Sequence, residues 1–297
     1  MKEKIIIAGG TGFIGNYLRE RFNALGFEVK IISRHPDHVK WTDTTAIIKA
    51  LENAAILVNL AGKSVDCRYN DQNKKEILDS RINTTIALGD AILKCKNPPK
   101  LWINSSTATI YRHAEDRPMT ESAGEIGSGF SVNIATSWEK AFFGFKLNHT
   151  RQVALRMAIV VGKDGGVLKP LKRLVQFGLG GRQGTGRQMF SWIHVEDIFE
   201  IILFLKKHTI LEGVFNVSAP NPVNNYTLMK SLRNNMKVKF GAPAPVWLLR
   251  IGAVIIRTET ELILKSRWVV PERLLACGYI FKFEQLDHAL NDILEGH

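Results

Sequence analysis

Apolar residues fill Lys4 to Ala8 almost without interruption, as expected of a strand buried on both faces of a parallel sheet. A glycine turn follows at Gly9 to Gly15, and the apolar pattern then changes to helical spacing over residues 16–25, closed by Gly26. The alternation repeats down the chain. Strands are predicted at Glu28–Arg34, Ala54–Gly62, Leu101–Thr107 and Gln152–Gly162, with helices over 46–53, 71–96 and Ser131–Phe145 between them. SWIHVEDIFEIILFL reads as a strand end and a helix, and GVFNVSA as a last core strand. Beyond Pro220 short helices alternate with loops, one of them opened by Pro271 and closed by Gly278. This order predicts an α/β fold, a Rossmann doubly wound parallel sheet with right-handed crossovers and a smaller C-terminal α/β lobe. The sheet and its ligand site are expected in residues 1–217 and the lobe in 218–297. Residues 163–190, rich in glycine, are expected to reach the substrate side.

A chain of 297 residues with 45% hydrophobic and 23% charged residues is long enough for a large core. The net charge of +12 is divided evenly: 22 basic and 16 acidic residues precede residue 160, and 18 and 12 follow. That balance suits anionic small molecules, and no nucleic-acid motif accompanies it. Cys67, Cys95 and Cys277 are scattered and fit neither a metal site nor a disulfide framework. The longest apolar run, Val246 to Ile256, is broken by Arg250 and is too short for a bilayer. No signal peptide is visible, so a cytoplasmic protein without a membrane partner is expected.

The turn Gly9-Gly10-Thr11-Gly12-Phe13-Ile14-Gly15 has the spacing of a dinucleotide site. Gly9 permits the tight turn, Gly12 lets a pyrophosphate approach the backbone, and Gly15 lets the helix pack against the sheet. At the end of the second strand an acid would select NAD by binding its ribose hydroxyls. This chain has Ser33 and Arg34 there, which select NADP(H).

With those residues placed, the chain resembles the extended short-chain dehydrogenase/reductases, in the atypical branch of epimerase family proteins with sugar-nucleotide epimerase-like sequences. GGTGFIG, NLAG at Asn59–Gly62, KKEILDSRINTT at Lys74–Thr85, GLGGRQGTGRQMFSWIHVEDI at Gly178–Ile198 and the tail RWVVPERLLACGYIFKF carry the resemblance. It implies a cofactor held by Gly9, Gly12, Phe13, Ile14 and Gly15 at the pyrophosphate and by Ser33 and Arg34 at the 2′-phosphate. It also places Leu60, Ala61 and Gly62 on the adenosine side, Glu76 and Arg81 near the cofactor, and Val160 by the nicotinamide.

The same resemblance exposes a gap. Such enzymes use a Ser or Thr after the fifth strand and Tyr-x-x-x-Lys on the next helix, the lysine lowering the tyrosine pKa. Here Ser131 and Ala135 occupy the Tyr and Lys positions. Ser106, Thr107 and Tyr111 in SSTATIY are the nearest candidate groups. Tyr226 and Lys230 have the spacing but begin a helix of the C-terminal lobe. Phe190 stands where related enzymes place an arginine for the substrate diphosphate, with Arg182 and Arg187 close by in sequence. Phe190, Trp192 and Arg187 are the expected substrate-pocket residues; His194 is expected to brace a turn and Asp197 to cap a helix. Two functions fit: an NADP(H)-dependent oxidoreductase or epimerase acting on a small molecule, and a non-catalytic NADP(H)-binding sensor.

Overall fold

The computed structural model describes residues 2–163, 165–249 and 264–295. Its elements are β1 (Lys4–Ala8), α1 (Phe13–Ala24), β2 (Glu28–Ser33), β3 (Val39–Lys40), α2 (Thr44–Leu51), β4 (Ala54–Asn59), α3 (Asp71–Leu93), β5 (Leu101–Thr107), α4 (Phe130–Phe143), β6 (Arg151–Met157) and β7 (Ile159–Gly162). They continue with β8 (Gly165–Gly166), α5 (Leu168–Gln176), β9 (Met189–Phe190), β10 (Trp192–His194), α6 (Val195–Lys207), β11 (Gly213–Val217), β12 (Val223–Asn224), α7 (Asn225–Asn235), α8 (Glu272–Ala276) and α9 (Leu286–Glu295).

Seven parallel strands form the main sheet in the order β11-β6-β5-β4-β1-β2-β3. The apolar run in β1 is explained by burial on both sides. Ile5 and Ile7 pack with Leu18 and Phe22 of α1 and with α6, while Ile6 and Ala8 pack with Ile47 of α2, Leu88 of α3 and Phe142 of α4. Helix starts follow local capping: Asp43 accepts from Ala46 N at 2.8 Å and Asn70 from Asn73 N at 2.8 Å. Helix α1 begins at Phe13, earlier than expected, because Gly12 is already its N-cap.

The run Gln152–Gly162, expected as one strand, is divided. Strand β6 stays in the main sheet to Met157; β7 leaves it to pair in parallel with β10. The second core gathers there, with Leu171 and Val175 of α5, Phe190, Trp192, Leu228 and Leu232 of α7, and Leu290 and Ile293 of α9. A cut at residue 217 therefore divides neither core cleanly. Residues before it build the second core, whereas Leu274, Tyr279 and Phe281 return to the main one.

Two side chains differ from expectation at the start of α6. His194, not Asp197, caps the helix, its Nδ1 accepting from Glu196 N at 3.2 Å. Asp197 is wholly buried and instead holds the C-terminal segment, accepting from Tyr279 OH at 3.1 Å, Lys282 N at 2.8 Å and Phe283 N at 3.1 Å. The apolar run Val246–Ile256 lies from residue 250 onward outside the described residues. Among those described, no helix is long and apolar enough to cross a membrane.

Candidate functional site

Strand order reverses between β1 and β4, and ligands of such sheets bind at the carboxyl ends of the strands on either side of that point. The glycine turn lies there. Gly9 has φ +77° and a Cβ on it would stand 2.7 Å from Ala61 Cα, so only glycine fits between the turn and Leu60–Ala61. A Cβ on Gly15 would meet Gly10 Cα at 2.5 Å; its role is to let α1 close against the turn itself. At Gly12 nothing lies within 4 Å of the same position. No side chain caps α1, which leaves its first N–H groups directed to an anion approaching Gly12. Phe13 and Ile14 form that first turn, and Phe13 packs so closely on the hairpin of β7 and β8 that a Cβ on Gly162 or Gly165 would strike its ring. Val160 belongs to the same hairpin and pairs with Ile193.

Ser33 is buried, its Oγ accepting from His35 N at 2.9 Å and lying 2.9 Å from His38 Nδ1. It braces the turn that carries Arg34, which is exposed and makes no ion pair among the described residues. Glu76 and Arg81 do not pair with each other. Glu76 is exposed and accepts from Lys63 Nζ at 2.5 Å and Gln72 Nε2 at 3.0 Å. Arg81 is half-buried beside Gly62, donates to Lys63 O at 3.0 Å and Ile77 O at 2.9 Å, and lies over the Trp138 ring at 5.1 Å. No carboxylate pairs with it among the described residues. Burial lowers its pKa to about 10, and it remains charged at neutral pH.

The carboxyl end of β5, where the sequence places the candidate hydroxyls, is built differently. Glu139, buried on α4 one turn after Ala135, takes a hydrogen bond from Ser106 Oγ at 2.6 Å and a bidentate pair from Arg156 at 2.8 Å. Arg156 Nη1 also donates to Tyr111 OH at 2.9 Å, and Tyr111 OH donates to Asn216 Oδ1 at 2.9 Å. Tyr111 is 2% exposed, and burial raises its pKa despite the nearby Arg156. A phenol poised for proton transfer needs the opposite shift and an open face. Tyr111 and Ser106 are thus members of a closed network. Ala135 is wholly buried in the apolar cluster that contains Ala108 and Tyr111, so the lysine position is filled by packing. Thr107 remains at the strand end, half-buried, its Oγ1 3.1 Å from Thr109 Oγ1.

Beside the second core, Phe190, Gln183, Gln188, Asn225, Lys265 and Arg267 line a shallow recess walled by Ile159 and Leu171. Gln183 is 2% exposed and its Nε2 has no hydrogen-bond partner among the described residues. Arg267 Nε reaches Thr109 Oγ1 at 3.3 Å, and Lys265 Nζ donates to Thr109 O at 3.0 Å, tying the recess to the end of β5. Of the three residues expected here, only Phe190 lines the recess. Trp192 is wholly buried in the second core, and Arg187 is on an exposed loop. Arg182 is exposed too. Sequence reading missed Arg267 and Gln183. Arg267 lies in the tail block, and its place is fixed by the pairing of its backbone with Met189 O at 2.8 Å. Tyr226 is 53% exposed at the start of α7, next to the recess residue Asn225, and its N–H donates to Gly186 O at 3.0 Å.

A family model described as the NAD dependent epimerase/dehydratase family matches residues 5–131, and one described as a domain of unknown function, DUF1731, matches residues 244–293. The human epimerase family protein SDR39U1 is 32% identical over 296 residues, covering 98% of this chain and 99% of its own length. Epimerase family protein YfhF of Bacillus subtilis is 31% identical over 300 residues, covering 98% and 97%. The crystal structure of human SDR39U1 (isoform 2) with NADPH superposes with a TM-score of 0.89 at 31% identity, over 99% of this chain and all of the other. The nucleoside-diphosphate sugar epimerase of Corynebacterium glutamicum gives a TM-score of 0.79 at 25% identity, over 99% of this chain and 59% of that one.

Proposed function

This chain belongs to the epimerase family, and on that footing we propose that it binds NADP(H) and acts as an oxidoreductase or epimerase-like enzyme of the extended short-chain dehydrogenase/reductase type on a small-molecule substrate. The observation that carries the reading is the cradle at the point where strand order reverses. There Gly9 is pressed against Ala61, Gly12 is open, and Arg34 and Arg81 have no carboxylate partners among the described residues. Two such guanidiniums beside a helix N-terminus suit a ligand with several phosphates. The NADPH held by the human relative supports the same assignment.

NADP(H), when bound, supplies or accepts the hydride. The chain's own residues then have three tasks. The first turn of α1 holds the pyrophosphate; Arg34 holds the 2′-phosphate, with Ser33 keeping its turn in place; Arg81 adds positive charge at the Gly62 edge. Thr107 orients the reacting oxygen of the substrate, and Arg267, acting through Thr109, stabilises negative charge that develops there. The recess beside Phe190 takes the rest of the substrate, with Gln183 Nε2 as a buried donor awaiting an acceptor.

The burial of Ala135 and the closed bonding of Tyr111 favour a second reading, an NADP(H)-binding sensor without turnover. Calorimetric titration of the chain with NADPH and NADH tests the shared part. NADPH is expected to bind at least about tenfold tighter, the worth of one charge-assisted contact. Equal affinities would contradict it. Turnover of any carbonyl or sugar-nucleotide panel member with NADPH then separates enzyme from sensor.

A further inference from the structure

Two stretches of the second lobe are basic throughout. Residues 165–192 and 218–249 come together in the second lobe, where Ala242 N donates to Gly178 O at 2.7 Å and Ala244 N to Arg182 O at 2.9 Å. These two stretches contain nine lysines and arginines and no aspartate or glutamate, against a net +12 for the whole chain. They also carry four of the five exposed aromatic side chains among the described residues: Phe177 at 79%, Phe240 at 71%, Trp247 at 64% and Tyr226 at 53%. Phe177 ends α5, just past Lys172 and Arg173, and Gly178 turns the chain with φ +74° immediately after it. Phe240 follows Lys237 and Lys239 in the partner stretch.

We propose that this face of the second lobe docks on an anionic membrane surface, with Phe177 and Phe240 entering the headgroup layer and the lysines around them meeting the lipid charge. Protruding aromatic rings flanked in sequence by lysines and arginines are the chemistry that an anionic bilayer interface recognises; acids of this lobe, Asp287 among them, lie on α9, where Asp287 Oδ1 accepts from Asn235 Nδ2 at 3.4 Å. A second copy docking through the same face would bring nine cations against nine. Single-stranded nucleic acid is gripped by aromatic side chains along a groove, whereas these rings stand out beside exposed Leu179, Pro243 and Pro245. Small soluble anions have no use for exposed rings. The association is with a surface and requires no membrane-spanning segment.

The test is flotation of the full chain, without NADPH, on vesicles of phosphatidylcholine alone and of phosphatidylcholine with phosphatidylglycerol. Binding to the second and not the first is expected. The double variant Lys169→Glu, Lys172→Glu should bind about 25-fold more weakly or worse, at about 1 kcal/mol for each lysine near the surface. The double variant Phe177→Ser, Phe240→Ser should bind about tenfold more weakly or worse. Both should keep NADPH affinity and thermal midpoint, which shows that the lobe still folds. Absence of binding to phosphatidylglycerol vesicles would overturn the proposal, as would binding indifferent to the phenylalanine variant. So would oligonucleotide binding that the vesicles fail to displace, or a dimer in sedimentation that the phenylalanine variant dissociates.

Discussion

At the carboxyl end of β1 the polar groups are left available; at the carboxyl end of β5 they are bonded to one another. Arg34 and Arg81 have no carboxylate partners among the described residues, and the first N–H groups of α1 have no cap. Ser106, Glu139, Arg156, Tyr111 and Asn216, by contrast, form a chain of hydrogen bonds with every link between 2.6 and 2.9 Å. A buried polar network of this kind holds β5, β6, β11 and α4 in register. It cannot lend a proton without breaking itself. Ala135, at the position where the sequence comparison expects a lysine, is packed into the apolar cluster beside this network.

The sharpest way to break this contrast is to open the network. Glu139 and Arg156 are 11% and 12% exposed at the side chain. Glu139→Ala should cost about 3–5 kcal/mol of stability, because it leaves Arg156 charged and buried alone. Replacing both residues by methionine should restore much of that loss in chemical denaturation. A small effect of the single change would show that the pair is solvated and open to ligands.

If the chain turns over a substrate, Thr107→Val should lower the rate by about 10²–10⁴-fold with NADPH affinity unchanged. An unaltered rate would move the chemistry away from the end of β5. Tyr226→Phe, at the exposed tyrosine with the right spacing in the wrong place, should change neither rate nor affinity.

His194 offers a smaller, pH-dependent check on the second lobe. Burial lowers its pKa from 6.5 to about 4, so the folded protein holds it neutral while the unfolded chain protonates it first. Its contribution is complete above pH 6.5 and is lost as pH falls toward 4. His194→Gln should flatten the difference in stability between those two values; an unchanged slope would mean that the ring is already solvated.

The contrast also explains what could be read in the sequence. The tight turn at Gly9 and the bounds of β5 depend on neighbours a few residues apart, and they stand as expected; Gly15, expected to meet the sheet, meets Gly10 of the turn instead. Arg267, Gln183 and the Glu139–Arg156 pair are set by contacts between distant elements, so no local spacing marks them. Trp192 misled because a tryptophan in a substrate-side strand can face the recess or the core. The register of β10 on β7 decides for the core. Asp197 sits in the first turn of α6, where an acid commonly serves as a cap, yet its partners come from residues 279–283.

The separation of the two ends is tested most directly by NADPH titration of Arg34→Asp and Tyr111→Phe side by side. The first should lose at least about tenfold in NADPH affinity and little in NADH affinity, since it removes a charged contact to the 2′-phosphate and adds repulsion. The second should keep its NADPH affinity while losing about 1–3 kcal/mol of stability, because Asn216 and Arg156 are left short of a partner. An Arg34→Asp protein that still prefers NADPH, or a Tyr111→Phe protein that loses the cofactor as fully, would contradict an open end at β1 set against a closed end at β5.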